Sequence, residues 1–395
     1  MRRRLADLLV CPRDGNSLEL VVWEARAQPL TSAQHHQAEA MGIDARLLEE
    51  DIVSGALVNR RSQIAYPIFR GVPRMLCFRT ALADEFLRQF GSRMGSELDG
   101  YKLSAGNAKP GERDVLRTFS TEWTSYDWDG KSYWNLDPEA WFRSMRFVLD
   151  LEQGSVKHQR LLEIGIGVGG VADHNAKYQE AEVVGVDLGY AVDAAYRNFG
   201  AQNPFLHVVQ ASVFDLPLRP SEFDYVYSFG VLHHTHSTKD AVSAAAVLPR
   251  DGGRLFVWVY SPEDEARNIQ RRVLMRLERL LRPILWRLPA WAQTAALLPI
   301  LPLYMVNQLV RKMKRSEGSV GYGFREALHA ARDRFTPRFV HRHDAAEVSS
   351  WFDSLGYGNL RSISDWPRPS WLPEAFVACT GIHGVRASAA NHRAT

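Results

Sequence analysis

A glycine-rich turn between two apolar runs is the part of this sequence whose residue types and spacing best suit ligand binding. The first run, in "RLLEIGIGVGG", closes with Glu163 and leads into Gly165, Gly167 and Gly169. The second run, "AEVVGVD", closes with Asp187, roughly twenty residues further on, a separation typical of nucleotide-binding βαβ units. Glycines let a backbone approach a ligand closely, and an acid ending the second strand can accept hydrogen bonds from both ribose hydroxyls. The pattern therefore predicts a strand, turn, helix and strand that hold a nucleoside.

The form of this turn favours one kind of ligand over another. It is E-x-G-x-G-x-G, with an acid closing the first strand, rather than the G-x-G-x-x-G of dinucleotide-binding proteins. This form resembles the turn of class I S-adenosylmethionine-dependent methyltransferases. The resemblance implies that Glu163, or its water shell, receives the ammonium group of the methionine moiety and that Asp187 holds the ribose. S-adenosylmethionine is therefore the expected cofactor.

Two later segments extend the resemblance over residues 119–383. "FDYVYSFGVLHHT" is close to the family's fourth-strand signature, and "LPRDGGRLFVWVY" resembles the turn before its fifth strand. One position departs from the family: the acid that usually accepts a hydrogen bond from the adenine amino group is replaced by Ser212, followed by Val213. A serine can accept this bond only without charge. The full set of expected cofactor contacts is Glu163, Gly165, Gly167, Gly169, Asp187, Leu188, Ser212, Val213 and Ser228.

Two groups of residues are candidates for the chemistry itself. His233 and His234 follow the fourth strand, where the family's methyl group faces its acceptor, so His233 is a candidate general base. The alternative is that this pair packs beneath the cofactor or caps the next helix. The aromatic stretch Phe119–Phe142 resembles the cap of related enzymes, in which Trp123 and Tyr126 would close the site. Tyr126 is a candidate for positioning the acceptor, unless these rings only pack the cap onto the core.

The N-terminal segment contains the remains of a metal-binding pattern. "LLVCPRDG" begins like a zinc knuckle at Cys11, but Asp14 occupies the position of its second cysteine. The place of a second knuckle is occupied by Asn59 and Ser62. A structural zinc ion requires four soft or imidazole ligands in a tetrahedral arrangement. We therefore expect no metal in this module.

The rest of this segment still indicates a ribbon. Met1–Leu76 resembles the small zinc-ribbon activator proteins that partner methyltransferases, and "YPIFRGVPRML" predicts a strand, a turn and a strand. A long insertion between the two knuckles is expected to be helical. His35 and His36 in this insertion are alternative metal ligands, although a solvated helix surface is the better explanation of both.

The composition is that of a globular protein in a reducing compartment. The chain has 395 residues, 46% of them hydrophobic, with a net charge of only +3, which gives no overall argument for nucleic-acid binding. Three scattered cysteines are too few for a disulfide framework. The basic N-terminus lacks a signal-peptide pattern because Asp7 interrupts its short apolar run. We therefore expect a cytoplasmic protein.

The segment Gln270–Val310 is long, apolar and predicted to be helical. It is uncharged between residues 287 and 311, long enough to cross a bilayer. We reject a membrane span because two strands of the same sheet are expected after it and because three prolines interrupt it: Pro289, Pro299 and Pro302. A helical cover fits better, lying over the acceptor pocket, on a membrane surface or against a second subunit.

The expected fold is α/β, with a Rossmann-like seven-stranded sheet that is mostly parallel and ends in an antiparallel strand. A helical insert and a small N-terminal zinc-ribbon-like β module complete it. The expected divisions are a module at 1–80, a linker and aromatic cap at 81–145, a cofactor-binding core at 146–264, an insert or lid at 265–345, a C-terminal helix and last strands at 346–385, and a disordered tail at 386–395.

The resemblance implies transfer of a methyl group by direct in-line displacement. The expected acceptor is a small or medium-sized, partly apolar metabolite, of secondary-metabolite or quinone-like type. The alternatives are an RNA or protein acceptor, and a cofactor-binding scaffold without turnover. A homodimer and a peripheral membrane contact are possible partnerships on this interpretation, and no nucleic acid is expected.

Overall fold

The computed structural model describes residues 1–125, 136–152, 154–262, 269–314 and 323–388. Two β-sheets organise these residues, a five-stranded sheet near the N-terminus and a seven-stranded sheet behind it. The strands are β1 (Glu19–Ala27), β2 (Glu50–Asn59), β3 (Ile64–Phe69), β4 (Val72–Pro73), β5 (Lys102–Leu103), β6 (Arg160–Ile164), β7 (Glu182–Asp187), β8 (Leu206–Gln210), β9 (Phe223–Phe229), β10 (Pro249–Val259), β11 (Tyr357–Ser362) and β12 (Thr380–Arg386).

Helices cover both sheets and form the insert. They are α1 (Arg3–Leu8), α2 (Ser32–Ala40), α3 (Ala81–Glu97), α4 (Glu112–Ser125), α5 (Pro138–Val148), α6 (Gly170–Tyr178), α7 (Ala191–Ala195), α8 (Thr238–Ala246), α9 (Ile269–Leu285), α10 (Ala290–Leu297), α11 (Leu301–Lys314), α12 (Phe324–Phe335), α13 (Ala345–Ser354) and α14 (Glu374–Val377).

The large sheet has the order β8-β7-β6-β9-β10-β12-β11, and β12 runs antiparallel to both of its neighbours. Its central strands are apolar on both faces, as parallel strands covered by helices must be. Leu162 on β6 packs into a core shared with α8 and α13, whereas the adjacent Leu161 packs into a core shared with α5, α6 and α7. The predicted fold class is therefore confirmed, including the antiparallel last strand.

The N-terminal sheet is an antiparallel meander closed by a tight turn. β2 pairs with β1 and β3, and β3 turns into β4 through Arg70 and Gly71, as the "YPIFRGVPRML" pattern predicted. Helix α3 packs on this sheet because Phe86 and Phe90 lie on one side of it and contact Trp23. Helix α3 thus covers one face of the N-terminal sheet, and the predicted division into domains stays a prediction.

The two sheets meet along β8. The backbone amide of Met75 donates to the carbonyl of Gln210 at the end of β8 (2.8 Å), so the chain after β4 extends the large sheet at its edge. The buried Arg74 guanidinium donates to the carboxylate of Asp193 (2.5 Å) and to the carbonyl of Phe69 (3.0 Å). Apolar residues of both sheets, Leu57 among them, belong to one buried cluster. The N-terminal module and the large sheet therefore share a continuous core.

The insert is a set of helices broken near its prolines. Helix α9 ends before Pro289, which is the N-cap of α10, while Pro299 lies in a 3-10 turn between α10 and α11. The inner sides of these helices pack against α12 around Phe335. Within the parts of the chain described above, no helix combines the length and the apolar character that a membrane crossing needs.

Candidate functional site

The glycine-rich turn is closely packed against its neighbours and could not carry side chains. Gly165 has a φ of 88°, and a Cβ there would lie 2.2 Å from a methyl group of Val231. Gly169, with a φ of 89°, precedes α6, and a Cβ there would lie 2.9 Å from the Cβ of Ala195. Positive φ values and this lack of space make glycine the fitting residue at both positions. The turn therefore exposes backbone rather than side chains at the carboxyl end of β6.

Asp187 is held in place by the turn itself. Its carboxylate oxygens accept hydrogen bonds from the amides of Gly167 (3.1 Å) and Gly189 (2.8 Å). Burial raises the pKa of Asp187, although these backbone amides act in the opposite direction. A carboxylate has about four acceptor positions, so two remain for a ligand such as a ribose. The structure thus joins two predicted cofactor contacts, Gly167 and Asp187.

Glu163 lies at the end of β6, buried beneath the turn. Its carboxyl accepts a hydrogen bond from the hydroxyl of Tyr227 (3.0 Å), which in turn accepts one from the side-chain amide of Asn175 (2.9 Å). Burial raises the pKa of Glu163 to about 8, despite the bond from Tyr227. A cation placed beside this carboxyl would stabilise its ionised form. The arrangement suits a ligand ammonium group.

Ser212 has a carboxylate partner that the local sequence does not indicate. Its buried hydroxyl donates to Glu112, the first residue of α4 and itself buried. The other oxygen of Glu112 accepts from the amide of Lys109 (2.6 Å). Val213 and Leu188, the neighbouring predicted contacts, are half-buried. An acid is therefore present beside the position where the family usually has one, but it comes from the cap helix.

Helix α4 lies across the carboxyl ends of the central strands. Near its middle, the hydroxyl of Ser120 accepts from the amide of Tyr190, just after β7 (2.9 Å). The ring of Phe119 lies 5.0 Å from that of His234, just after β9. Together with Glu112 beside Ser212, these contacts show that α4 crosses the carboxyl ends of the strands from β8 to β9.

A cluster of buried polar residues lies at the carboxyl ends of β9 and β10. The ring of His233 lies 4.0 Å from that of Tyr260, whose hydroxyl donates to Asp333 on α12 (2.9 Å). Neither ring nitrogen of His233 has a hydrogen-bond partner among the described residues, and burial holds the pKa of His233 well below the ordinary value. His233 is therefore neutral near pH 7. The neighbouring His234 donates through Nδ1 to the carbonyl of Phe339 (2.9 Å).

Glu122 on α4 adds a buried acid to this cluster. Its side chain is 2% exposed, and neither carboxyl oxygen makes a hydrogen bond within the part of the chain that the structure describes. Nδ1 of His329 lies 3.5 Å from this carboxyl, but burial lowers the pKa of His329 to about 3, so the imidazole brings no positive charge; its ring also packs on Trp123. Burial, reinforced by the charge of Asp333, raises the pKa of Glu122 well above the ordinary value. Burial thus favours the protonated form of Glu122, which can donate a hydrogen bond to a ligand.

Other predicted residues have different surroundings. Tyr126 lies outside the described residues, as does the end of the predicted tail. The hydroxyl of Ser228 donates to the carbonyl of Ile164 (3.0 Å) and so joins β9 to β6. The stretch "RFTPRFVHRHD" contains arginines and histidines that are candidates for an anionic acceptor on sequence alone, but Arg334 and Arg338 are paired with Glu278 and Asp114. His341 and His343 likewise bond within the protein.

Sequence analysis missed three acids of the site: Glu112, Glu122 and Asp333. Each is far along the chain from the motif that it approaches, and none belongs to a recognisable spacing. Glu112 and Glu122 lie on α4, whose amphipathic pattern predicts only that one side of the helix is buried. Only the folded arrangement of α4 and α12 over the strand ends brings them to the site.

Hydrogen bonds join the two degenerate knuckles of the N-terminal module. The side-chain amide of Asn59 donates to both carboxylate oxygens of Asp14 (3.0 and 2.9 Å). The thiol of Cys11 lies 3.3 Å from the hydroxyl of Tyr66. The oxygen of Asn59 also accepts from the amide of Ser62 (3.2 Å). Over the described part of the chain, no group of three or more histidines, cysteines and acids could hold a metal ion.

Protein purified without chelator should contain well under one zinc ion per chain, because Asp14, Asn59 and Ser62 occupy the positions of three of the four cysteine ligands. Elemental analysis measures this directly. A variant with Asp14, Asn59 and Ser62 all replaced by cysteine restores four thiolates and should bind zinc. Stoichiometric zinc in the unmodified protein would contradict the prediction and direct attention to His35 and His36, both exposed on α2.

Two segments of the chain match known families. Residues 162–257 match the family described as "Methyltransferase domain". Residues 2–71 match the family described as "Trm112p-like protein". The first segment contains the glycine-rich turn, Asp187, Ser212 and His233, and the second contains both degenerate knuckles.

Curated relatives match a little over a third of the chain. A mouse protein named "Probable tRNA methyltransferase 9B" is 30% identical over 143 residues, which are 35% of this chain and 29% of that protein. A ubiquinone biosynthesis O-methyltransferase of Albidiferax ferrireducens is 29% identical over 159 residues, 38% of this chain and 58% of that protein. The chain therefore spans less than two thirds of the length of these relatives.

Among solved structures, a phosphoethanolamine N-methyltransferase 2 of Haemonchus contortus was determined with phosphomonomethylethanolamine and S-adenosylhomocysteine. It covers 72% of this chain and 62% of its own, with a TM-score of 0.42 and 13% identity. A similarity at this level carries no argument about acceptor or mechanism. The two family matches are what confirm the predicted type of core, the N-terminal module and S-adenosylmethionine as the cofactor.

Proposed function

We propose that this chain, an S-adenosylmethionine-dependent methyltransferase by its core domain, methylates a small or medium-sized, partly apolar metabolite. The cofactor supplies a methyl group already activated by its sulfonium charge, which a nucleophilic atom of the acceptor takes by in-line displacement as S-adenosylhomocysteine departs. The acceptor is of secondary-metabolite or quinone-like type.

The observation that carries this proposal is the buried cluster at the carboxyl ends of β9 and β10. Tyr260, His233 and Trp123 provide aromatic surface, while Glu122 and Asp333 provide two acids. The cluster is enclosed by α4 and α12, so its occupant must be small or must enter by one end. An enclosed site with apolar walls and a few polar groups is typical for small molecules.

The protein groups have distinct roles in this proposal. Asp187 accepts hydrogen bonds from the ribose, Glu163 faces the ammonium group, and the amides of the glycine turn lie beside the cofactor. His233 accepts the proton that the acceptor loses, which its neutral state permits. The protonated carboxyl of Glu122 orients the acceptor by donating a hydrogen bond.

Glu112, held by Ser212, accepts a hydrogen bond from the adenine amino group. Glu112→Gln removes the charge at nearly constant shape and should weaken S-adenosylhomocysteine binding about tenfold, since hydrogen bonds to charged groups contribute about 1.5–3 kcal/mol. Binding of S-inosylhomocysteine, which has an oxygen in place of that amino group, should not weaken. Calorimetric titration with both ligands measures the preference for adenine.

Two variants control this experiment. Asp114→Asn changes another acid in the first turn of α4, bonded to Arg338, and should leave the preference intact. Ser212→Asp, added to Glu112→Gln, returns a carboxylate to the site and should restore the preference. An unchanged preference in Glu112→Gln would remove Glu112 from the cofactor site.

RNA is a second candidate acceptor. The N-terminal match to the Trm112p-like family and the named tRNA methyltransferase relatives favour it. A net charge of +3 and the enclosed cluster favour the metabolite. Location in the cytoplasm is part of the proposal for either acceptor, because three scattered cysteines, Cys11, Cys77 and Cys379, are too few for a disulfide framework.

Transfer of labelled methyl groups distinguishes these acceptors. The protein is incubated with methyl-labelled S-adenosylmethionine and, separately, with total tRNA, an organic-solvent extract and an aqueous metabolite extract. Label in the organic extract supports the proposed acceptor, and label in tRNA supports the second candidate. Cofactor binding without label in any fraction would favour a scaffold. Asp187→Ala is the control for enzyme-dependent label.

A further inference from the structure

The helical insert carries an unusual charge for its length. Residues 269–314 contain nine arginines and lysines but a single acid, Glu278. Glu278 is 1% exposed and accepts hydrogen bonds from Arg334 (2.6 Å) and Arg342 (3.1 Å). The one negative charge of the insert is thus neutralised internally, and its outer surface is basic.

The outer surface of the insert also carries many exposed apolar side chains. Of the thirteen large apolar side chains that are exposed in the described residues, ten lie on the insert, so the exposed apolar area is concentrated there. Trp291 is 75% exposed, and Leu280 and Leu303 are each 70% exposed. Soluble monomers seldom leave so many large apolar groups together in water, and such patches mark contact surfaces.

Helix α9 combines both properties along its length. Its exposed apolar residues recur at positions that share one side of a helix: Val273, Leu277, Leu280 and Ile284. An exposed arginine precedes each of the first three: Arg272, Arg276 and Arg279. An apolar stripe bordered by a basic stripe is typical of helices that lie in the plane of a membrane interface.

The inner side of the insert is already occupied. Leu285, Leu297 and Leu301 pack with Phe335 of α12, and Gln293 bonds to the carbonyl of Leu285 (3.1 Å). The exposed stripe is therefore not the core-facing side of a displaced helix. It is a second apolar surface that no other described residue of the chain covers.

The charge of this surface decides between the candidate partners. In a twofold dimer the same patch would face itself and bring the two sets of arginines together, with no exposed acid on the insert to balance them. Aliphatic side chains such as Leu280 and Ile284 also suit hydrocarbon better than nucleobases, which stack on aromatic rings. A surface that is both anionic and apolar matches the patch.

We infer that the outer surface of α9, α10 and α11 binds the face of an anionic lipid membrane. The apolar stripe enters the headgroup region while the arginines contact lipid phosphates. Attachment is peripheral. Because α12 joins the insert to α4 at the candidate acceptor site, this orientation would present that site to compounds dissolved in the membrane.

Vesicle sedimentation tests the inference with the full chain and without any assay of methyl transfer. Vesicles of phosphatidylcholine alone are compared with an equimolar mixture of phosphatidylcholine and phosphatidylglycerol. We expect binding to the anionic vesicles that declines as salt is added, because screening weakens contacts with lipid phosphates. Absence of binding to the anionic vesicles at low salt would overturn the inference.

Variants separate the two contributions. The combination Leu280→Ser, Trp291→Ser and Leu303→Ser should weaken binding at least about tenfold, because all three apolar contacts are lost. Arg272→Gln with Arg276→Gln should reduce the preference for anionic vesicles. Val247→Ser, at an exposed apolar residue on another surface, is the matched control and should bind normally.

Two measurements keep the result specific. S-adenosylhomocysteine binding and the thermal midpoint should be unchanged in every variant, because the altered side chains lie on the surface. Molar mass by light scattering tests the competing partner. A dimer that the triple serine variant dissociates, or vesicle binding that this variant retains, would assign the surface to a second copy or to another cause and overturn the inference.

Discussion

Replacing Asp187 with alanine should weaken S-adenosylhomocysteine binding about 10- to 100-fold, equivalent to about 1.5–3 kcal/mol for lost hydrogen bonds to a charged acceptor. The amides of Gly167 and Gly189 hold this carboxylate at the turn, which leaves acceptor positions for the ribose of the proposed cofactor orientation. The substitution also leaves these two amides without their acceptor, which loosens the turn. Calorimetric titration of both proteins measures the change.

Asp224→Ala is the matched control for this prediction. Asp224 also accepts a hydrogen bond from a backbone amide, that of Arg160 (2.7 Å). Both residues lie at the amino ends of their strands, away from the glycine-rich turn. Its loss should lower stability while leaving S-adenosylhomocysteine affinity unchanged. Equal affinities of wild type and Asp187→Ala would remove Asp187 from the cofactor site and with it the proposed orientation of the ligand.

Replacing Arg74 with methionine should lower the free energy of unfolding by about 2–3 kcal/mol. The guanidinium is 7% exposed and donates to Asp193, Phe69 and Gln210 across the junction of the two sheets. Methionine preserves much of the apolar stem but removes these bonds and leaves the carboxylate of Asp193 without its partner. Urea unfolding, with both midpoint and slope compared, measures the loss.

The control for Arg74 is an exposed pair of the same chemistry. Arg60 on the β2–β3 turn pairs with Glu19 in solvent, and Arg60→Met should change stability little, because surface ion pairs contribute little. If Arg74→Met were as stable as the wild type, the junction would depend on apolar contacts alone.

The sequence was informative where function requires a local pattern. The turn from Glu163 to Gly169 and the acid at Asp187 lie in one βαβ unit, so their spacing along the chain reflects their arrangement in space. The two strands expected after the insert, in "GYGNLRSISDW" and "AFVACTGIH", are likewise present as β11 and β12. Local backbone geometry and strand periodicity were enough for these elements.

The sequence was silent where residues distant along the chain meet. Ser212 suggested a missing charge at the adenine position, but its partner Glu112 is one hundred residues earlier on a different element. Glu122 and Asp333 come together because α4 and α12 cross the same strand ends. Helical periodicity predicts which side of a helix is buried, and it does not identify the surface against which that side packs.

The junction between the N-terminal module and the large sheet lies within one chain, and this sets the effective concentration at which the two parts associate. Met75 continues the sheet at Gln210, and apolar residues from both parts share one cluster. Since a single chain carries both parts, their association is intramolecular, with an effective concentration that dilution does not change. Module and core are therefore always present in equal number, and a module that separates briefly returns to its own core before it can meet another.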